Sequence, residues 1–283
     1  MSVNIVVKDM GLDYAIRGGG RKGGKLTALD GVSLEVKQGE FLSVVGPSGC
    51  GKSTLLYILA GLIRKSRGTV LINGREITGP ALDRGIVMQG YALFPWRTVQ
   101  RNVEFGLEVK GTPKAARRRK ALEYLESVGL SDFAQRYPYE LSGGMKQRVA
   151  IVRALAYDPD ILLMDEPFAA VDEQTREMLH EELLRIWEAT HKTIIFVTHS
   201  IDEAVFLSDR VAVMSAGPGA IKRIIDVNLR RPRAGGAVKA SVDFSVLRNR
   251  VWRLLQNMPD SEREGAAPAD SDISDVISDS ATL

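Results

Sequence analysis

The sequence predicts an α/β fold built on a parallel sheet with helices on both faces, and three observations carry that reading. Apolar, β-branched runs at Ile161–Met164, Thr193–Thr198 and Val211–Met214 are separated by helical segments around Gln174–Glu188 and Ile201–Leu207, the alternation expected of strands buried on both sides. Phe41–Val45 is an apolar run ending at Gly46, and Lys52–Ala60 then has helical spacing, so strand, glycine-rich loop and helix follow in order. Thr98–Asp158 is mostly helical in pattern, with Pro113, Gly129 and Pro138 as punctuation, and reads as a helical subdomain.

The elements before and after this core are read from local signals. Val3–Ile16 reads as a strand, Arg17–Lys25 as a basic, glycine-rich loop and the region near Val32–Val36 as a second strand, which together make a hairpin with a long tip. Val70–Ile72 and Glu76–Ile77 flank Asn73-Gly74, a pair suited to a tight hairpin turn. After Pro232 the composition changes. Residues 1–232 therefore read as one domain, Arg233–Lys239 as a linker and Phe244–Met258 as an amphipathic helix, together the segment 233–258. From Pro259 to the end, 259–283, Ser, Asp, Ala and Glu dominate and an acidic, disordered tail is expected.

A chain of 283 residues with 45% hydrophobic content buries a sizeable core. Its longest nearly uncharged apolar stretch, Leu55–Ile63, is well short of the roughly 20 residues that span a membrane. Met1–Lys8 shows no secretion signal, and Cys50 is the single cysteine, so a reducing, cytoplasmic setting is expected, with no internal disulfide. A net charge of +3 gives no case for nucleic acid; the basic run Arg117–Lys120 lacks interleaved aromatics and reads as a solvated helix face.

Chemistry concentrates in three stretches. Gly46-Pro47-Ser48-Gly49-Cys50-Gly51-Lys52-Ser53-Thr54 matches a phosphate-binding loop. Its glycines let backbone N–H groups turn toward phosphate oxygens, and the following helix adds the positive end of its dipole. Lys52 is placed to reach the β- and γ-phosphates and Ser53 to coordinate magnesium. Asp165 and Glu166 directly follow the apolar run Ile161–Met164, at the carboxyl end of a strand where ligands bind in open α/β sheets. Asp165 then suits magnesium and Glu166 the attacking water, although an acidic pair also suits an ordinary helix start. In Leu141-Ser142-Gly143-Gly144-Met145-Lys146-Gln147-Arg148, Ser142 caps a helix whose first turn carries two glycines, leaving N–H groups open to a phosphate.

With these stretches in this order, residues 3–232 resemble the ABC ATPase family, whose signature is usually written LSGGQ. The resemblance implies a P-loop, RecA-like core with an antiparallel β-subdomain and an α-helical subdomain, using ATP and Mg2+. It implies that Gln89 senses magnesium and the attacking water, that His199 contacts the γ-phosphate, and that Asp172 touches the opposing protomer. Tyr14 matches the aromatic that stacks on adenine, and simple hairpin packing explains it equally. Gly79-Pro80, Asp83-Arg84-Gly85, Leu93-Phe94-Pro95-Trp96, Met145, Thr175-Arg176 and Gly217-Pro218-Gly219 are similar to the nitrate, sulfonate and taurine importer branch. Val152, Val171 and Ser200 depart from the family pattern without removing a phosphate, metal or water-activating group. The resemblance further implies a second copy of the chain, head to tail, with each ATP between Lys52 of one and Ser142 of the other. Integral-membrane permease subunits and, indirectly, a periplasmic solute-binding protein complete the expected partners, with the chain peripheral on the cytoplasmic membrane face. A non-transporter ABC ATPase acting on nucleic acid or ribosomes is the alternative, and nucleic acid is not an expected partner.

Overall fold

In the computed structural model, which describes residues 3–16, 24–169, 171–233 and 235–256, the chain opens with the strands β1 (Val3–Ile16) and β2 (Gly24–Lys37). The second strand is far longer than the sequence suggests. It starts at Gly24 because Tyr14, Ala15 and Ile16 pair with Leu26, Lys25 and Gly24, so the ladder extends past the apolar segment. The tail expected from Pro259 lies outside the described residues, as do 17–23 of the hairpin tip. β4 (Arg67–Ile72) joins β1, and β5 (Arg75–Glu76) completes an antiparallel sheet in the order β2-β1-β4-β5. Asn73 and Gly74 turn this last pair at φ values of 48° and 74°, the positive-φ geometry that the Asn-Gly pair favours.

The second sheet is six-stranded. It contains β3 (Phe41–Val45), β6 (Arg84–Val87), β7 (Ile161–Asp165), β8 (Thr193–Val197), β9 (Arg210–Met214) and β10 (Ile221–Asp226), in the order β10-β9-β3-β8-β7-β6. All neighbours pair in parallel except β10 on β9. Two of these strands escape a reading of the sequence: β6 carries Arg84 and Gly85 in a four-residue strand, and the antiparallel edge strand β10 has no uninterrupted apolar run.

The strands are apolar on both faces because both faces are covered. In β7, Leu162 and Met164 join one core cluster while Ile161 and Leu163 join the other; β8 splits the same way, Ile194 and Phe196 against Ile195 and Val197. The period of two predicts this division. On the first face lie α5 (Glu173–Thr190), α6 (Ile201–Leu207) and α8 (Val242–Leu255), contributing Leu183, Phe206 and Val251. On the second lie α1 (Lys52–Leu59) and the antiparallel sheet, through Leu55, Leu59, Ile5 and Val7. A third cluster holds together α2 (Val99–Val109), α3 (Lys114–Ser127) and α4 (Gly143–Ala156).

The segment expected to be a linker is partly helical, α7 spanning Gly235–Lys239. Arg233 just before it is buried. Its guanidinium donates to the carbonyls of Val205, Phe206, Ser208, Val227 and Leu229, and burial pushes it down to about 10. Phe244, Val251 and Leu254 of α8 then enter the first core cluster.

Arg233→Met removes the donor to several buried carbonyls, each of which costs about 1–3 kcal/mol when left unpaired. The variant is expected to lose about 3 kcal/mol of stability in urea denaturation, and wild-type stability would contradict the role assigned to this residue.

Candidate functional site

Parallel pairing brings the carboxyl ends of β3, β6, β7 and β8 to one edge of the sheet. The residues that come after these strands are Gly46, Gln89, Glu166 and His199 with their neighbours, so residues distant in sequence meet there. A cleft of about 770 Å³ on this edge is lined by Ser48, Gly49, Gly51, Lys52, Ser53, Thr54, Gln89, Glu166 and Tyr14, among others. Tyr14 is 40% exposed and faces the cleft beside its ladder partner Leu26. Pro218 and Gly217, from the turn between β9 and β10, close the far wall.

The phosphate-binding loop curls back over its own lysine. Lys52 Nζ donates to the carbonyls of Gly46 at 2.8 Å and Pro47 at 2.9 Å. Gly49 and Gly51 have φ values of 75° and 96°, a region that L side chains rarely adopt. Gly51 has a second constraint, since a Cβ there would lie 2.6 Å from Leu29 Cδ2. Cys50 is buried beneath the loop, and burial pushes its thiol up.

Ser53 Oγ donates to Asp165 Oδ1 at 2.9 Å. The second carboxylate oxygen, Oδ2, is buried and has no hydrogen-bond partner. Burial raises the Asp165 carboxyl above its ordinary value despite the neighbouring Tyr57 and Ser53 hydroxyls, and burial together with that carboxylate pushes the Tyr57 phenol up to about 12. A hydroxyl beside an unsatisfied buried carboxylate oxygen, next to a phosphate-binding loop, is a donor set that fits magnesium. No group of three or more His, Cys, Asp or Glu is gathered as a metal cage among the described residues.

Glu166 sits at the mouth of the cleft. Its Oε2 lies 3.4 Å from Gln89 Nε2 and 3.4 Å from His199 Nδ1. Gln89 and His199 thus both approach Glu166, although the three residues come from three different strand ends. Glu166 is also held at φ 43°, a conformation that costs on the order of 1 kcal/mol for a residue other than glycine and collects at functional sites. Its backbone N–H is fixed by the Val197 carbonyl at 2.9 Å.

Gln89 leads into a strained loop in which Gly90, Tyr91 and Ala92 all have positive φ. Arg153 of α4 clamps it, donating to the carbonyls of Ala92 at 2.6 Å and Tyr91 at 3.0 Å. No short motif points to this arginine in the sequence.

Ser142, Gly143 and Gly144 do not line the cleft. Ser142 caps α4, accepting from Met145 N at 3.3 Å, a contact of about 1 kcal/mol. The first turn of α4 instead abuts that of α5, where a Cβ on Gly144 would fall 2.7 Å from Thr175 Cγ2. Asp172 caps α5 through Thr175 N at 3.0 Å, and this N–H holds its carboxyl below the ordinary value. The signature turn and Asp172 therefore share one surface, apart from the residues that line the cleft.

A glycine-rich loop with lysine, a Ser–Asp pair and a carboxylate at the adjoining strand end define a P-loop nucleoside triphosphatase. Comparison with known proteins takes this further. The family model described as ABC transporter matches residues 29–169. An uncharacterised ABC transporter ATP-binding protein of Methanocaldococcus jannaschii is 54% identical over 235 residues, covering 83% of this chain and 86% of that protein. A nitrate import ATP-binding protein of Synechocystis sp. is 51% identical over 87% of this chain and 94% of its own length, and a taurine import ATP-binding protein of Rhizobium johnstonii is 46% identical over 85% and 93%. A dimeric ATP-binding cassette in a post-hydrolysis state with ADP and Pi superposes with a TM-score of 0.69 at 34% identity, over 80% of this chain and all of that one. The chain belongs to the ABC transporter family, as an ATP-binding and hydrolysing subunit.

Lys52→Ala removes the one ammonium in the phosphate loop. Losing a charged hydrogen bond of about 1.5–3 kcal/mol weakens ATP binding by about 10- to 100-fold. Calorimetric titration with ATP checks this, and unchanged affinity would show that Lys52 does not reach the phosphates.

Proposed function

We propose that this chain powers an importer for a small oxyanion or sulfonate, of the nitrate, taurine or alkanesulfonate class, and that Glu166 is the base of its hydrolytic step. The observation carrying the catalytic reading is the approach of Gln89 and His199 to one Glu166 oxygen, beside the cleft that holds Lys52 and Ser53. The transport reading is supported by the nitrate and taurine import relatives, which match over nearly their whole lengths.

The loop N–H groups and Lys52 bind the β- and γ-phosphates, and Tyr14 stacks on the adenine. Ser53, Asp165 and Gln89 would hold magnesium, which when bound would neutralise charge on the phosphates. Glu166 accepts a proton from the attacking water. Gln89 donates to that carboxylate and orients it, while His199 bridges it to the γ-phosphate. Ser142, Gly143 and Gly144 serve the ATP of a second copy, beside Asp172 at the same interface. This arrangement accounts for a signature turn that does not line its own cleft.

Docking of the permease falls to the surface from Gln89 to Arg101. Trp96 is 73% exposed there, with Phe94 and Phe105 packed behind it. A periplasmic solute-binding protein supplies the solute, and the chain works at the cytoplasmic face of the membrane. No helix among the described residues is long and apolar enough to cross a membrane.

Glu166→Gln keeps size and hydrogen bonding but removes the base, so turnover is expected to fall by about 10² to 10⁴ while ATP binding survives. Wild-type hydrolysis in a phosphate-release assay would remove Glu166 from this role. Trp96→Ala is expected to weaken permease capture by about 30-fold, the scale of an interface anchor of about 2 kcal/mol, with ATP affinity unchanged. Undiminished co-purification with the permease would place the docking surface elsewhere.

A further inference from the structure

His199 is 63% exposed at its side chain, so packing around the imidazole does little to hold it against Glu166. Its two chain neighbours are differently placed. Thr198 is buried, and its Oγ1 donates to Glu203 Oε2 in a short hydrogen bond. The same Thr198 oxygen accepts from Ser200 N at 3.0 Å, and Ser200 Oγ accepts from Glu203 N at 3.3 Å. Thr198 is therefore tied to the Glu203 carboxylate, and Ser200 to the Thr198 hydroxyl and the Glu203 backbone N–H.

Glu203 is itself buried and secured from α5. His180 Nε2 lies 3.3 Å from its Oε1 and Arg176 Nε 3.9 Å. His180 is wedged between Phe168 and Phe206. Arg176 also donates to the carbonyl of Val171 at 2.7 Å, the residue before Asp172. Burial acts to raise the Glu203 carboxyl, but the hydrogen bonds from His180 and Thr198 outweigh it and the net shift is downward. The group is an ionised acceptor in a place where a packed apolar side chain would hold α5 to α6 at lower desolvation cost. A carboxylate in the first turn of α6 suits the helix N-terminus, and the hydrogen bond to Thr198 links this one to the residue before His199.

We propose that Glu203, acting through Thr198, is a positioning residue for ATP hydrolysis that fixes the backbone on both sides of His199 and so sets the imidazole against Glu166. The inference rests on the assignment of His199 and Glu166 to hydrolysis. Loss of the anchor would widen the positions open to His199 and lower turnover, leaving the phosphate loop and ATP affinity untouched.

The test uses the full chain and steady-state hydrolysis. Thr198→Val replaces the hydroxyl by a methyl of the same shape, and is expected to lower kcat at least tenfold with KM for ATP within twofold of wild type. Thr198→Ser restores the hydroxyl and is expected to regain at least half of the lost rate. In a His199→Ala background, Thr198→Val is expected to have no further effect, because both changes act on one group. Wild-type kcat for Thr198→Val, equal losses for Val and Ser, or additive losses with His199→Ala would each overturn the proposal. If His199→Ala itself hydrolyses ATP at the wild-type rate, the underlying assignment fails, a result distinct from the others. Should Thr198→Val not fold, Glu203→Gln carries the same test. Its single carbonyl oxygen cannot replace both carboxylate oxygens, so kcat is expected to fall at least threefold at unchanged KM, and an unchanged kcat overturns the proposal.

Discussion

Parallel pairing of β6, β7, β8 and β3 is the constraint on which the cleft depends. Each of these strands ends at the same edge, and within two residues each reaches one of Gly46, Gln89, Glu166 and His199. The pairing holds because both faces of the sheet are sealed. Leu162 and Met164 lie against α5 and α6, and Ile161 and Leu163 lie against α1 and the antiparallel sheet. A one-residue slip of β7 would exchange these two sets. It would also move Asp165 off the end of the ladder and away from Ser53.

Rigidity of the strands contrasts with strain in the loops at their carboxyl ends. Glu166 at φ 43°, and Gly90, Tyr91 and Ala92 all at positive φ, come just after strands that are almost wholly buried. Such conformations persist only where the surroundings over-determine them. For Glu166 that support is the Val197 carbonyl, and for the loop after Gln89 it is the Arg153 guanidinium. Precision at the reacting end is thus supplied by backbone anchors and not by packing of the side chains themselves.

Much of this was legible in the sequence, and the exceptions have a common cause. The runs Ile161–Met164 and Phe41–Val45 announce buried strands because their neighbours on both faces are apolar, so the signal is local. Arg84–Val87 does not, since its buried arginine donates to the Gly79 carbonyl and the distant Tyr157 hydroxyl donates to its backbone. The phosphate loop and the Asp165–Glu166 pair are contiguous and readable. Arg153 and Glu203 are not, because each is placed by partners far along the chain: Arg153 meets carbonyls 61 and 62 residues away, and Glu203 is held from α5 by a histidine 23 residues away. Periodicity reports burial and motifs report spacing; neither reports which buried charge meets which.

The composition shift after Pro232 invites a cut at that point, as for an excised minimal cassette. Such a shortened chain would lose more than an appendage. The carbonyls of Val205, Phe206 and Ser208, at the end of α6, would lose the guanidinium that now binds them, and removal of Phe244, Val251 and Leu254 would bare the apolar flank they cover. Newly wetted apolar surface of this kind associates with its like. A fragment ending at 232 would therefore be more prone to self-association than the longer chain, and α7 and α8 belong to any minimal folded unit.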